Sequence, residues 1–249
     1  NPSKFASTIR NLFPESQYNC VYEAGFSGYS IHRKLTELGL KCSVVHPLDI
    51  PTTNKEKLNK SDKVDCRKLA REFENGTLRP LFIPSEDIEG LRMLSHRRIG
   101  LTKDRSRIKN QIKGSLHYVG VVNFEKEDAK YWKKSFINFL EKLEHPVTMK
   151  SLVFSLKHKE EELKLLERVI IDFINNHDLK ILCSLIQSVP GVGFLSAICI
   201  IAELGDIHRF SNINQLNSYV GLIPMIQSSD QKQRGNVIHI RHNRYLRVT

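Results

Sequence analysis

Two short apolar runs with one amphipathic repeat between them place the tightest limit on how the N-terminal part of this chain can fold. Tyr18 to Glu23 (Tyr-Asn-Cys-Val-Tyr-Glu) reads as a strand, and so does Lys41 to His46 (Lys-Cys-Ser-Val-Val-His). Between them Ile31, Leu35 and Leu38 fall at helical spacing, and Gly39 stands where a helix would end. A strand, a crossover helix and a second strand of one sheet form a right-handed unit, so the two strands should be parallel. Ligand sites in such sheets lie beyond the carboxyl ends of strands, and Glu23 occupies such an end.

After a polar loop from Pro51 to Lys60, Cys66, Leu69, Ala70 and Phe73 make an apolar stripe closed by Gly76, which predicts a helix docked on the sheet. Glu86 to about Leu116 reads as further helix, with Leu91, Leu94, Leu101, Ile108, Ile112 and Leu116 apolar. Arg97, Arg98, Lys103, Arg105, Arg107, Lys109 and Lys113 are interleaved with them. That basic face is either a solvated helix surface or a nucleic-acid face. The whole-chain balance favours the second, since 38 Lys+Arg against 27 Asp+Glu leave a formal charge of +11 and the pI is near 9.4.

From Lys150 to His177, Leu163, Leu166, Ile170 and Phe173 repeat at 3-4-3 spacing among charges, the pattern of a short coiled coil or an inter-domain helix. The last zone reads as all-helical: Leu179 to Val189, a Pro190-Gly191-Val192-Gly193 turn, Phe194 to Leu204, then Ile213 to Val220. Two helices joined by a Gly-rich hairpin can aim N–H groups and a helix N-terminus at a phosphate. The same Pro-Gly-x-Gly also occurs in ordinary helix connections. The expected modules are 1–118, an α/β domain with the basic helix, 119–178, a helical connector, and 179–249, a mainly α C-terminal domain.

No apolar run approaches the roughly 20 residues of a membrane span, and Asn1-Pro2-Ser3-Lys4 opens no signal segment, so a soluble, unsecreted protein is expected. The first residue is not Met, which points to a fragment. Cys20, Cys42, Cys66, Cys183 and Cys199 are scattered and odd in number, indicating neither a disulfide framework nor a zinc site, and read as small buried apolar residues.

Asp62 precedes Cys66 by four and Asp65 precedes Leu69 by four, so both should face the sheet. One reading makes Asp62 an N-cap and Asp65 a first-turn acid. The other has them meet Glu23 around a divalent cation, because such clustered acids repel unless neutralised. Ser228-Ser229-Asp230 is by default a turn. The arginines Arg234, Arg241, Arg244 and Arg247 lie close by in sequence. They could equally support a hydroxyl that attacks phosphorus. His239 and His242 are ordinary surface contacts or proton carriers.

The order Tyr22-Glu23-Ala24-Gly25, then Lys60-Ser61-Asp62-Lys63-Val64-Asp65-Cys66-Arg67-Lys68-Leu69-Ala70, then Pro190-Gly191-Val192-Gly193, then Gly221-Leu222-Ile223-Pro224 with Ser228-Ser229, then Ile238 to Arg247, resembles the DEDD transposases of the IS110 family of insertion sequences. The resemblance covers nearly the whole chain. It implies an N-terminally truncated ribonuclease-H-like domain, a helical connector, and a serine-bearing C-terminal domain with a helix-hairpin-helix. The implied activity is Mg²⁺-dependent DNA transposition or recombination through a covalent serine–DNA link, guided by a structured bridge RNA. Glu23, Asp62 and Asp65 match the second, third and fourth acids, and Ser229 matches the serine. The first aspartate would lie on a strand upstream of Asn1, which leaves the fragment inactive on this reading. Asp230 and His242 stand where the motif has Gly. DNA, the guide RNA, further copies of the chain in a dimer or tetramer, and a bacterial or archaeal cytoplasm near the nucleoid are the implied partners and setting. The competing readings are a non-catalytic nucleic-acid-binding remnant and a junction nuclease without serine chemistry.

Overall fold

The computed structural model describes residues 1–53, 61–121, 132–145, 147–229, 232–238 and 242–247, with backbone alone for 224–238. It divides into two compact units, Asn1–Ile83 and Pro84–Thr249. This division falls before the basic helix, whereas the module boundaries expected from the sequence lie at 118 and 178.

The first unit begins with α1 (Pro2–Leu12), whose N-cap Asn1 accepts from Ser3 N–H at 3.0 Å. Pro2 suits the first helical turn because the N–H it lacks would have no helical partner. β1 (Asn19–Glu23), α2 (Ser30–Glu37) and β2 (Lys41–Val45) follow, and the two strands pair in parallel from Asn19↔Lys41 to Glu23↔Val45. This is the strand-helix-strand unit expected from the sequence. Gly39 ends α2 at φ +76, a left-handed geometry that a side chain would strain. Ala6, Leu35 and Leu40 form the core between α1, α2 and the sheet.

α3 (Asp62–Glu74) is capped by Ser61, not by Asp62 as the sequence suggested: Ser61 Oγ accepts from Val64 N–H at 3.4 Å. Its stripe is also rotated from the expected one. Leu69 and Phe73 pack on Val45, Ile50 and Leu78, but Cys66 and Ala70 are exposed while Lys68 and Glu72 are buried. The rotation is tolerated because each buried charge has a partner. Lys68 Nζ donates to Asp65 Oδ1 at 3.0 Å, and Glu72 accepts from Thr77 Oγ1 at 2.8 Å and pairs with Arg71. The cysteine reading is corrected accordingly: Cys183 and Cys199 are buried, Cys20 and Cys42 half-buried, and Cys66 exposed.

The second unit is built on α4 (Glu86–Tyr118), a helix of 33 residues that is about 50 Å long at 1.5 Å per residue. Ser85 caps it, and Glu86, Asp87 and Glu89 complement the dipole of its first turn. α5 (Lys134–Lys142), α6 (Met149–Asn176), α7 (Lys180–Gln187), α8 (Phe194–Leu204) and α9 (Ile213–Val220) complete the helical scaffold. The 3-4-3 pattern of α6 is used inside the chain. Leu163 and Ile170 are buried, Leu166 and Phe173 half-buried, and α6 runs antiparallel to α4. Leu91, Ile170, Ile174, Cys183, Ala197, Ile198, Ile201 and Ala202 form one core; Ile108, Ile112, Leu116, Phe136, Leu140, Met149, Val153 and Leu156 form the other.

The expectation of an all-helical C-terminal zone is corrected beyond α9. β3 (Pro224–Ser229) and β4 (Lys232–Ile238) pair antiparallel, with a register shift between Met225 and Gln227, before the short α10 (Arg244–Arg247). The run Met-Ile-Gln-Ser-Ser carries too little apolar alternation to announce a strand by itself. Among the described residues, no helix is long and apolar enough to cross a membrane.

Candidate nucleic-acid interface and serine hairpin

Glu23 sits at the carboxyl end of β1, half-buried, and α3 packs beside that strand. Asp62 is exposed at the first turn of α3. Asp65 lies one turn further along with its side chain 29% exposed, and there it accepts from Lys68, whose own side chain is buried. Among the described residues, no three His, Cys, Asp or Glu side chains gather closely enough to hold a metal ion. Lys68 holds Asp65, so a divalent cation, which needs several oxygen ligands free at once, would take up these acids only by displacing that ammonium.

The basic residues of α4 divide into two groups. Arg98 Nε donates to Glu167 at 3.0 Å, Lys109 lies 3.5 Å from Glu160, and Arg97 hydrogen-bonds Glu162. All three acids are on α6, so these cations hold the helix pair together. Lys109 also lies 4.8 Å over the Trp132 ring, and burial first, with the charges of Arg105 and Lys113, pulls its pKa down against the opposing pull of Glu160. Lys103, Arg107 and Lys113 face outward, and Lys103 and Arg107 share an open face with Thr102, Ser106, Asn110 and Gln111. Arg105 is half-buried.

The Gly-rich turn joins α7 to α8, two helices that pack on each other. Gly191 adopts φ +90 and so meets a backbone need, whereas Gly193 has an ordinary φ of −80 at the N-cap of α8. A Cβ at either would meet nothing within 4 Å, so the backbone here lies open to an approaching group. No side chain caps the first N–H groups of α8.

Ser229 is the last residue of β3, paired with Lys232, and Ser228 pairs with Gln233. Arg234 lies in β4; Arg241, with Asp230 and His239, falls outside the described residues. Arg244 and Arg247 are exposed at the two ends of α10. The base of the hairpin is tied shut, because Asn243 N–H donates to Tyr219 O at 2.7 Å. Gly221 is demanded twice there: it takes φ +87 as the C-cap of α9, and a Cβ would come within 2.5 Å of His242 Cβ.

Beneath this junction is a cluster that sequence reasoning missed. Glu203, 3% exposed in the last turn of α8, meets His96 Nε2 at 2.5 Å and accepts from Asn243 Nδ2 at 2.5 Å. Arg92 Nε donates to Ala202 O at 2.9 Å and lies 4.0 Å from the Glu203 carboxylate. Burial pushes the Glu203 carboxyl up, but the hydrogen bonds from His96 and Asn243, with the charges of His96 and Arg92, bring it below the ordinary carboxylate range. The signal in the sequence was a lone acid in an otherwise apolar helix, Phe-Leu-Ser-Ala-Ile-Cys-Ile-Ile-Ala-Glu-Leu.

Comparison with known proteins bears on both ends of this geometry. Residues 15–120 match a DEDD transposase family model, and residues 183–249 match the model described as Transposase IS116/IS110/IS902 family. The chain is 27% identical to y4qE of Sinorhizobium fredii, a protein named as a transposase, over 87% of this chain and 52% of that one. It is 26% identical to the transposase for insertion sequence element IS1111A of Coxiella burnetii, over 95% of this chain and 66% of the relative. Against the transposase for insertion sequence element IS1533 of Leptospira borgpetersenii it is 26% identical, over 79% and 58%. The chain thus spans between about half and two thirds of the length of these curated relatives. The two family models meet the two halves of the chain in the order that Glu23, Asp62, Asp65 and Ser229 take along it, and the chain belongs to the IS110 family of insertion-sequence transposases.

Proposed function

We propose that this chain binds DNA and a structured RNA and joins DNA strands through Ser229, as part of an insertion-sequence transposase or recombinase acting in the bacterial or archaeal cytoplasm. The observation that carries the reading is the hairpin closed between Tyr219 and Asn243, which holds the Ser229 strand and delivers Arg244 and Arg247 directly after it. In the chemical step the Ser229 Oγ–P bond forms as one P–O ester bond of the DNA breaks; the serine proton departs and the leaving sugar oxygen takes one up. Arg234, Arg241, Arg244 and Arg247 are assigned to the charge that builds on the phosphoryl oxygens. The remaining assignments belong to the same reading: a ribonuclease-H-like first domain, α7 and α8 as a helix-hairpin-helix with Gly191 and Gly193 on the backbone, and a homo-oligomer. The test is a denaturation-resistant protein–DNA adduct, formed by the full-length protein with duplex DNA and its RNA. No adduct under any condition would leave a nucleic-acid binder.

On the same reading Glu23, Asp62 and Asp65 hold Mg²⁺ together with a further carboxylate, and when bound the ion supplies positive charge at the phosphate. Lys68 holding Asp65 is the one observation that favours a non-catalytic binder instead. A measurement separates them. Mg²⁺ should raise the thermal midpoint of unfolding by mass action, and Asp65→Asn should erase that gain; a wild-type midpoint indifferent to Mg²⁺ would remove the ion from this proposal.

The outward face of α4 gives a second measurement. Replacing Lys103, Arg107 and Lys113 by Ala should reduce the slope of log binding constant against log salt on duplex DNA by about 0.9 for each phosphate left without its cation. Replacing Arg97, Arg98 and Lys109 should act on stability instead, since these bind glutamates of α6. Equal slopes in wild type and the triple variant would move the interface off this helix.

A further inference from the structure

We infer that Glu203 and Asn243 are positioning residues that lock the base of the serine hairpin onto the helical scaffold. This deepens the reading of Ser229 as nucleophile and rests on it for its catalytic meaning. Asn243 uses every polar atom it has at one junction. Its N–H donates to Tyr219 O at 2.7 Å. Its Nδ2 donates to Glu203 Oε2 at 2.5 Å and to Tyr219 Oη at 3.1 Å. Its Oδ1 accepts from Tyr245 N–H at 3.0 Å and Leu246 N–H at 3.1 Å, starting α10. One side chain therefore joins the ends of α8 and α9 to the start of the arginine-bearing α10.

The other half of the junction is fixed just as fully. Tyr219 Oη donates to Glu203 O at 3.1 Å, and Arg92 reaches the last carbonyls of α8 from α4. His96 of α4 meets the Glu203 carboxylate and stacks on Tyr245, ring centroids 3.8 Å apart. A buried carboxylate left without these donors would cost far more than the bonds it makes, so the acid holds the junction only while Asn243 is in place. Strands β3 and β4 lie between the two tied ends. A serine must meet its phosphate within a fraction of an ångström to react, and a strand swinging from an untied base cannot do so.

Hydrogen exchange on the full-length protein tests this. Asn243→Ser keeps an oxygen to cap Tyr245 and Leu246 but cannot reach Glu203, so it separates the clamp from the cap. In Asn243→Ser and Asn243→Asp, amide exchange at residues 243, 245 and 246 should accelerate at least about tenfold while the α4–α6 amides keep their protection. The exchanged pair Glu203→Gln with Asn243→Asp presents an amide to a carboxylate again and should restore slow exchange and adduct formation together. Unchanged exchange in both single variants, or a double variant no slower than Asn243→Asp, overturns the clamp. An adduct that survives Ser229→Ala overturns the nucleophile and leaves the exchange result standing, so the two failures are distinguishable.

Discussion

Ser229→Ala is expected to abolish the denaturation-resistant protein–DNA adduct of the full-length protein, a loss on the order of a thousandfold or more, because no other group takes over a covalent role. Ser228→Ala should retain part of it. The two serines are neighbours in β3, opposite Gln233 and Lys232 in the register. Neighbouring residues of a strand belong to opposite faces, so only one of the pair can share a face with a given phosphate. Gel mobility after boiling in detergent reads the result directly. Loss of the adduct in Ser228→Ala with its survival in Ser229→Ala would reverse the assignment; survival in both would place the nucleophile elsewhere.

Leu156→Ala is expected to lower the stability of the second unit by about 2–5 kcal/mol. Leu156 is fully buried, with Ile112 and Leu116 of α4, Phe136 and Leu140 of α5 and Met149 and Val153 of its own helix in the same core. Removing its branched end leaves a cavity that rigid helices on three sides cannot fill by shifting. At roughly 2–4 °C per kcal/mol for a chain of this size, the thermal midpoint should fall by about 5–15 °C. Phe154→Ala is the control: that ring is 74% exposed on the same helix, and its loss should change stability by no more than about 0.5 kcal/mol. A Leu156→Ala loss below about 1 kcal/mol would contradict the packing described for this seam.

Much of the scaffold was legible in the sequence because its signals are periodic and local. The parallel pair β1–β2, the cap at Gly39, the long α4, and the bounds of α8 and α9 follow from apolar spacing and Gly placement that neighbouring residues reinforce. What could not be read depends on partners distant along the chain. Nothing near Lys68 announces that it is buried, since the rotation of α3 goes with the packing of Leu69 and Phe73 on Val45, Ile50 and Leu78. The basic residues of α4 look alike in sequence, yet Glu160, Glu162 and Glu167, some 50–70 positions later, decide which remain for a ligand. β3 was hidden because serine and glutamine in Gln227-Ser228-Ser229 give a turn and a strand equal claim. The Glu203 cluster joins positions 92, 96, 203, 219, 243 and 245, and no spacing rule spans such gaps.

Tying residue 219 to residue 243 also frees the segment between them from the rest of the molecule as far as length is concerned. With its two ends already brought together, lengthening that segment raises the entropy of closing it only logarithmically, about 0.6 kcal/mol for each doubling. Insertions and deletions between residues 219 and 243 should therefore accumulate among relatives with little cost to the helices that carry the segment. Changes at Asn243 or Gly221, each confined to one residue, should be far less readily accepted. The chain would then have a place to vary its reach without rebuilding its frame.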